Sequence, residues 1–160
     1  MKYKMKNLLD QLVEHEGLML NVYQDHLGID TIGIGRNLID RGISEKELEN
    51  MGKSLDEIYK DGITKEDSYM LASNDISIVE AELSFHHPCI KDIGEARQRV
   101  LIDMAYNMGV PRLLKFKKMW EAIHKGSYNT ASTEMLDSKW ALQVKKRAIK
   151  LCSVMQSGTW

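Results

Sequence analysis

The apolar residues between positions 5 and 16 recur with the period of an α-helix. Drawn at about 100° per residue, five apolar side chains fall within one arc of about 140°: Met5, Leu8, Leu9, Leu12 and Val13. Glu16 lies near the middle of the same arc. The pattern therefore predicts an amphipathic helix with a carboxyl group on its apolar face, which ends at Gly17.

The next segment has the composition of two short strands. Residues 20–24 and 29–35 are rich in apolar and β-branched residues, and residues 25–28 are typical of the turn between them. Glycines at 28, 33 and 35 indicate tight turns or close approach of another group to the backbone. Two short helices are predicted in the polar stretch that follows, over 44–50 and after Ser54.

The rest of the chain has the pattern of helices. Thr64 and Asp67 have the spacing of a capping box, so a long helix is expected to begin there and to stop at the His86-His87-Pro88 segment. Helices are then predicted over four ranges: 95–108, 115–125, 128–136 and 141–156. The first of these is apolar on most sides, as in a central core helix.

These elements predict an α+β, mostly α fold. We expect an N-terminal lobe over 1–63 with a short antiparallel sheet, a connecting helix over 64–84, and an all-α lobe over 85–160. The first helix is expected to pack with the C-terminal lobe.

Composition is that of an ordinary globular protein, with 43% hydrophobic and 28% charged residues. Polar residues at 10 and 11 interrupt the N-terminal apolar run, which is then too short for a signal-peptide core, so a mature cytoplasmic product is expected. Cys89 and Cys152 lack metal-ligand spacing, and buried free thiols are favoured over a disulfide.

The net charge of −1 hides an asymmetry between the two halves. Residues 1–85 hold 9 basic and 17 acidic side chains, or −8, whereas residues 86–160 hold 13 basic and 6 acidic ones, or +7. The basic half either is a solvated face or meets an anionic polymer. Nucleic acid is not expected as a partner, because no recognition motif accompanies the charge.

Two carboxyl groups with different surroundings are the main candidates for chemistry. Glu16 lies on an apolar face, where burial favours the protonated form that a general acid needs, although such a Glu often pairs with a buried Arg instead. Asp25 lies in a polar turn and should be ionised. Two carboxyl groups with opposed environments, one apolar and one polar, fit the pattern of a glycoside hydrolase.

Other candidate sites are weaker. His86 and His87 are adjacent to each other and point in different directions, so a metal site with Cys89 is not expected. The segment TIGIG lacks the Lys of a phosphate-binding loop. The apolar stripe of Phe116, Met119, Trp120 and Ile123 is typical of core packing.

Eight short motifs, in order along the chain, carry a resemblance: EG at 16–17, VYQD at 22–25, TIGIG at 31–35, GIT at 62–64, NMG at 107–109, SKW at 138–140, KKRA at 145–148 and GTW at 158–160. The chain resembles the phage lysozymes of the T-even type, the peptidoglycan muramidases used as endolysins. The resemblance runs nearly end to end and implies a lysozyme-like fold.

It also implies hydrolysis of the β-1,4 bond between N-acetylmuramic acid and N-acetylglucosamine, without metal or cofactor. Glu16 would protonate the leaving oxygen, while Asp25 and Thr31 would hold and activate a water on the opposite face of the sugar, giving inversion. An Arg that contacts the helix of the catalytic Glu in the family corresponds to Arg147, which would favour the charged form of Glu16.

Some positions depart from the family pattern. Arg36 stands where the family usually has His, and the Asp that commonly pairs with that His corresponds to Asp75, so an Arg36–Asp75 ion pair is predicted. Four positions correspond to glycan-binding positions in relatives: Asn37, Tyr106, Met119 and Glu134. Of these, Met119 and Glu134 replace polar residues.

The resemblance implies a monomeric endolysin whose partner is bacterial peptidoglycan. It would accumulate in the host cytoplasm, without inserting in the membrane, and reach the periplasm or cell wall through a pore such as a holin. Two alternatives stay open: a lytic transglycosylase, which forms anhydro-sugars without water, and a non-catalytic wall-binding module of a virion.

Overall fold

The structure is a computed structural model that describes residues 3–160. It is mostly helical with one small antiparallel sheet, which confirms the predicted fold class. The chain forms two compact units. The first unit comprises residues 5–75, and the second comprises residues 76–160 together with Tyr3 and Lys4.

Helix α1, Met5–Glu16, opens the first unit with the predicted bounds. Its buried residues are Leu8, Leu9, Gln11 and Leu12. The amide of Gly17 donates to the Val13 carbonyl oxygen at 2.8 Å and closes the last turn. Glu16 is therefore the last helical residue, with Gly17 turning the chain toward the sheet.

The sheet has three antiparallel strands in the order β1-β2-β3. These are β1 Met19–Gln24, β2 Asp30–Gly33 and β3 Arg36–Asn37. Strand β3 was not predicted separately: the predicted strand over 29–35 ends at Gly33, and the chain turns back two residues later. Across the β1–β2 turn, Tyr23 lies opposite Thr31, and across β2–β3, Ile32 lies opposite Arg36.

Two short helices follow the sheet in this unit and pack against its apolar cluster. They are α2, Glu45–Met51, and α3, Leu55–Asp61, and each begins with a serine whose hydroxyl accepts a hydrogen bond from a backbone amide of the first turn. The buried apolar cluster of the unit comprises Ile32, Leu38, Ile58, Ile63 and Leu71. The sheet that carries Thr31 is thus fixed by a core on one side.

Helix α4, Lys65–His86, contributes residues to both units. Its predicted capping box is present: the Thr64 amide donates to Asp67 Oδ2 at 3.0 Å, and the Asp67 amide donates to Thr64 Oγ1 at 3.1 Å. A short 3-10 helix, Pro88–Asp92, follows its end.

The second unit continues as six helices after that 3-10 turn. They are α5 Glu95–Met108, α6 Val110–Leu114, α7 Lys117–His124, α8 Tyr128–Leu136, α9 Lys139–Val144 and α10 Lys146–Ser157. Eight consecutive residues of α5, 98–105, are buried, which confirms its predicted central position. The single helix predicted over 141–156 is instead two helices, because the backbone at Lys145 has φ 49° and cannot continue an α-helix.

Both cysteines are free, as predicted. Cys152 is buried and Cys89 is half-buried, and burial raises the pKa of the Cys152 thiol to about 11. Of the helices formed by residues 3–160, none is long and apolar enough to span a membrane.

Candidate active site

The Glu16 carboxyl group lies against the turn between β2 and β3. It is half-buried, and its Oε1 atom is shielded from solvent. A Cβ atom at Gly35 would lie 3.6 Å from Glu16 Oε2, and Gly35 has φ 73°, a conformation that side chains rarely adopt. Glycine at this position therefore keeps the backbone close to the carboxyl group without a side chain beside it.

Asp25 begins the turn between β1 and β2 and is held by that turn. Its Oδ1 atom accepts hydrogen bonds from the amides of Leu27 at 2.8 Å and Ile29 at 2.9 Å. These bonds, that of Ile29 foremost, stabilise the carboxylate and hold the pKa of Asp25 below its usual value. The side chain is thus oriented and ionised, as a general base requires.

Thr31, at the start of β2, is linked to Asp25 through the backbone of Ile29. The Thr31 hydroxyl donates to the Ile29 carbonyl oxygen at 2.8 Å, and the same oxygen accepts the Asp25 amide at 3.0 Å. The proton of the Thr31 hydroxyl is engaged, whereas its oxygen can still accept a hydrogen bond. Sequence reasoning missed Ile29 because its contribution comes from its backbone and not from its side chain.

Tyr23 is a further residue of this site that sequence reasoning did not identify. It is half-buried and lies directly opposite Thr31 in the β1–β2 pair. Burial raises the pKa of its phenol, and the charges of Glu16 and Asp25 raise it further. Both carboxyl groups therefore lie near one phenol ring. The signal for this in the sequence is that Tyr23 and Thr31 are equally distant from the centre of the turn.

The predicted Arg36–Asp75 ion pair is present. Arg36 Nε donates to Asp75 Oδ2 at 2.9 Å, and the Arg36 side chain is only 2% exposed. Two backbone carbonyl oxygens, of Gly42 and Leu71, also accept from its guanidinium group at 2.9 Å each. The buried charge is therefore fully surrounded by acceptors.

Glu47 is a second partner of Arg36 that the sequence did not predict. Its two carboxylate oxygens lie 3.1 and 2.9 Å from Arg36 Nη1 and Nη2, and Asn74 Nδ2 donates to it at 3.0 Å. Burial alone would raise the pKa of Glu47, but the hydrogen bonds from Arg36, Asn74 and the Ser44 amide outweigh burial and lower it to about 2. Because Arg36 follows Gly35 directly, this cluster anchors the hairpin beside Glu16.

The predicted glycan-binding positions fall in both units. Asn37 lies in the first unit, where its Oδ1 atom accepts the amides of Ile39 and Asp40 at 2.8 Å each. In the second unit, Met119 and Glu134 line one pocket of about 380 Å³. Met119 is buried there, with 1% of its surface exposed.

Two other predicted residues lie on helices of the second unit. Tyr106 is half-buried near the end of α5. Arg147, near the start of α10, donates from Nε to Asp103 Oδ1 at 2.8 Å, and Asp103 is fully buried. Arg147 therefore joins α10 to α5.

His87, which sequence reasoning set aside as a metal ligand, contacts an aromatic pair instead. Its ring stacks on Trp120 at 3.7 Å, and its Nδ1 atom lies 2.9 Å from Nε2 of His124. Within residues 3–160, no group of three or more His, Cys, Asp or Glu side chains is placed to hold a metal ion.

Comparison with known proteins identifies similar sequences over nearly the whole chain. A family model described as phage lysozyme matches residues 13–152. A protein of Dictyostelium discoideum named probable T4-type lysozyme 1 is 30% identical over 165 residues, which cover 96% of this chain and 95% of that protein. A second protein of the same organism, probable T4-type lysozyme 2, is 29% identical, with the same two coverages.

The pre-baseplate central spike protein Gp5 of Enterobacteria phage T4 is 29% identical over 162 residues. The match covers 95% of this chain but spans only 28% of the length of the spike protein.

Proposed function

The chain belongs to the phage lysozyme family and is a glycoside hydrolase, and we propose that it hydrolyses the β-1,4 bond between N-acetylmuramic acid and N-acetylglucosamine in bacterial peptidoglycan. The observation that carries the proposal is the Asp25–Ile29–Thr31 arrangement, together with Glu16 at the end of α1. This arrangement places a base, Asp25, at the start of the β1–β2 turn and a hydrogen-bonding hydroxyl, that of Thr31, in β2. The Glu16 carboxyl group, like that of Asp25, lies near the phenol ring of Tyr23.

In the proposed reaction, Glu16 donates its proton to the glycosidic oxygen as the bond from that oxygen to C1 breaks. A water molecule attacks C1 from the opposite face, and its proton passes to Asp25. Thr31 accepts a hydrogen bond from that water through its hydroxyl oxygen, since the hydroxyl proton is directed to Ile29. A single displacement of this kind inverts the anomeric configuration.

The experiment that tests this proposal is product analysis on purified peptidoglycan. We expect mass spectrometry to show reducing N-acetylmuramic acid ends, and proton NMR to show the α-anomer as the first product. Anhydro ends would instead establish a lytic transglycosylase, which uses one acid and no water. Intact glycan would contradict the assignment of this substrate.

We also propose that the protein serves lysis of a host cell and reaches the wall from the cytoplasm through a membrane pore. Expression in a Gram-negative bacterium, with and without a pore-forming protein, tests this. Lysis is expected only when the pore is present. Lysis without it would contradict this route.

The match to the T4 spike protein favours a second candidate role, as a wall-degrading part of a phage particle. In that role the chain would be joined to or assembled with particle proteins. A particle delivers the enzyme to the wall from outside the cell. In this role the expressed protein would be an active enzyme, and its access to the wall would depend on no pore in the host membrane. Addition of the purified protein to intact cells with a permeable outer membrane measures this activity.

A further inference from the structure

The Tyr23 hydroxyl is an unused hydrogen-bond donor. Within residues 3–160, no group hydrogen-bonds to it, although the ring is half-buried. The hydroxyls of Tyr3 and Tyr59, by contrast, donate to Glu80 at 2.6 Å and to Asp30 at 2.9 Å. The Tyr23 hydroxyl is not among the buried polar atoms, so its proton is available to solvent or to a bound molecule.

Its position in the sheet places this donor beside the reacting groups. Residues that lie opposite each other in an antiparallel pair project to the same face, so Tyr23 and Thr31 share a face. Asp30 and its partner Tyr59 belong to the opposite face, because neighbouring residues along a strand alternate. Glu16 and Asp25 both act electrostatically on the Tyr23 phenol.

The other three side chains keep no proton for a lasting hydrogen bond to a neutral sugar. Asp25 is ionised and accepts only, and the Thr31 proton is engaged by Ile29. The Glu16 proton is consumed by the leaving oxygen in the proposed reaction. Of these four side chains, Tyr23 alone keeps a proton for a stable hydrogen bond.

We propose that Tyr23 is a further catalytic residue, whose hydroxyl donates a hydrogen bond to a hydroxyl or acetamido oxygen of the saccharide bound beside Glu16 and Asp25. This inference rests on the proposed function, since it assumes a glycan at that place. The raised phenol pKa keeps the donor protonated throughout the neutral range.

Tyr23→Phe tests the proposal, because it removes the hydroxyl and retains the ring. Binding is measured by calorimetry with soluble peptidoglycan fragments in a Glu16→Gln background, where no turnover occurs. We expect the added Tyr23→Phe change to weaken binding about tenfold, as for the loss of one hydrogen bond of about 1.4 kcal/mol. In the active protein, kcat/KM should fall at least as much.

Tyr59→Phe is the matched control. It removes a tyrosine hydroxyl of helix α3 that donates to Asp30, on the opposite face of the same sheet. It should leave binding and kcat/KM unchanged. Equal values for Tyr23→Phe and its parent would overturn the proposal, as would equal losses for the two Phe variants.

A second measurement avoids any substitution at Tyr23. In Glu16→Gln protein with ¹³C-labelled tyrosine, the Cζ resonance of Tyr23 should shift when peptidoglycan fragments are added, and that of Tyr59 should not. An unmoved Tyr23 resonance in a saturated complex contradicts the proposal. If instead the wild type releases no reducing ends, the proposed function fails, and these binding measurements still decide the role of Tyr23.

Discussion

At the scale of single residues, the candidate site depends on one backbone unit. The Ile29 amide orients Asp25 and lowers its pKa, and the Ile29 carbonyl oxygen holds both the Thr31 hydroxyl and the Asp25 amide. Two side chains six residues apart are therefore positioned by one peptide segment. Because strand pairing fixes that segment, the arrangement needs no contribution from the Ile29 side chain.

Asp25→Asn separates the proposed chemistry of Asp25 from its place in the turn. The Asn side-chain oxygen can still accept the amides of Leu27 and Ile29, so the turn should be retained. The base is lost, and we expect kcat to fall by about 10²–10⁴ while the unfolding midpoint changes little. Rates of reducing-end release and urea unfolding curves, measured on the same samples, check both parts. A variant as active as the wild type would exclude Asp25 as the base.

At the scale of elements, the β2–β3 hairpin is held by a buried ionic cluster. Arg36 extends from β3 to Glu47 on α2 and to Asp75 on α4. Removing one partner of a buried ion pair leaves an uncompensated charge, so these three residues act as a unit. The hairpin that brings Gly35 to Glu16 is thereby fixed to two helices.

The lowered pKa of Glu47 makes part of the stability depend on pH. Its folded pKa of about 2 lies below its ordinary value of 4.5, so the carboxylate stabilises the fold above pH 4.5 and this contribution is lost as pH falls toward 2. The difference corresponds to about 3 kcal/mol. Urea unfolding over that pH range should show the decline in the wild type.

Glu47→Gln should lower stability at neutral pH and flatten the decline between pH 4.5 and 2. Glu49→Gln, an exposed position on the same helix, is the control and should keep the slope of the wild type. If the free energy of unfolding of Glu47→Gln declined between pH 4.5 and 2 as steeply as that of the wild type, the Glu47 carboxyl group would not be the cause of the pH dependence.

Local sequence predicted the elements whose signals are local. The apolar arc of α1, the turn at Asp25 and the Thr64–Asp67 capping box each lie within a few residues, and each was confirmed. Helix α6 was missed because a five-residue helix carries little periodicity. The break at Lys145 was missed because neither Gly nor Pro marks it.

The candidate site was predictable only in part, because some of its contacts join residues that are far apart in the sequence. Glu16 and Asp25 were proposed from the apolar helix face and the polar turn, and Thr31 from the family resemblance. The Arg36–Asp75 ion pair was predicted from a departure from the family pattern, and it is present. Glu47 has the local spacing of a helix-capping residue after Ser44, and it does form that bond at 2.9 Å. Its contact with Arg36 depends on how the hairpin and α2 pack, which no local pattern encodes.

For the whole molecule, the proposed binding to an anionic wall would depend on the difference in charge between residues 1–85, at −8, and residues 86–160, at +7. Exposed charges of this kind act through solvent and are screened by salt. The basic half would therefore contribute to adsorption rather than to the bond-breaking step.

Adsorption to insoluble peptidoglycan should weaken as salt rises from roughly 0.05 to 0.5 M. Lys139→Gln with Lys146→Gln, both exposed in the basic half, should reduce wall binding at low salt. The control is Lys46→Gln with Lys60→Gln, which makes the same change of charge in the acidic half and should have a smaller effect. Binding is measured by cosedimentation with Glu16→Gln protein, and equal effects of the two pairs would refute the role of the basic half.

Clearing of permeabilised Gram-negative cells tests whether Glu16 is the acid of the proposed wall hydrolase. The comparison is between wild type, Glu16→Gln and Glu14→Gln, the last being an exposed position on the same helix. We predict that wild type and Glu14→Gln clear the suspension equally, while Glu16→Gln is slower by about 10²–10⁴ with its fold intact. Clearing by Glu16→Gln at the wild-type rate would exclude Glu16 as the acid.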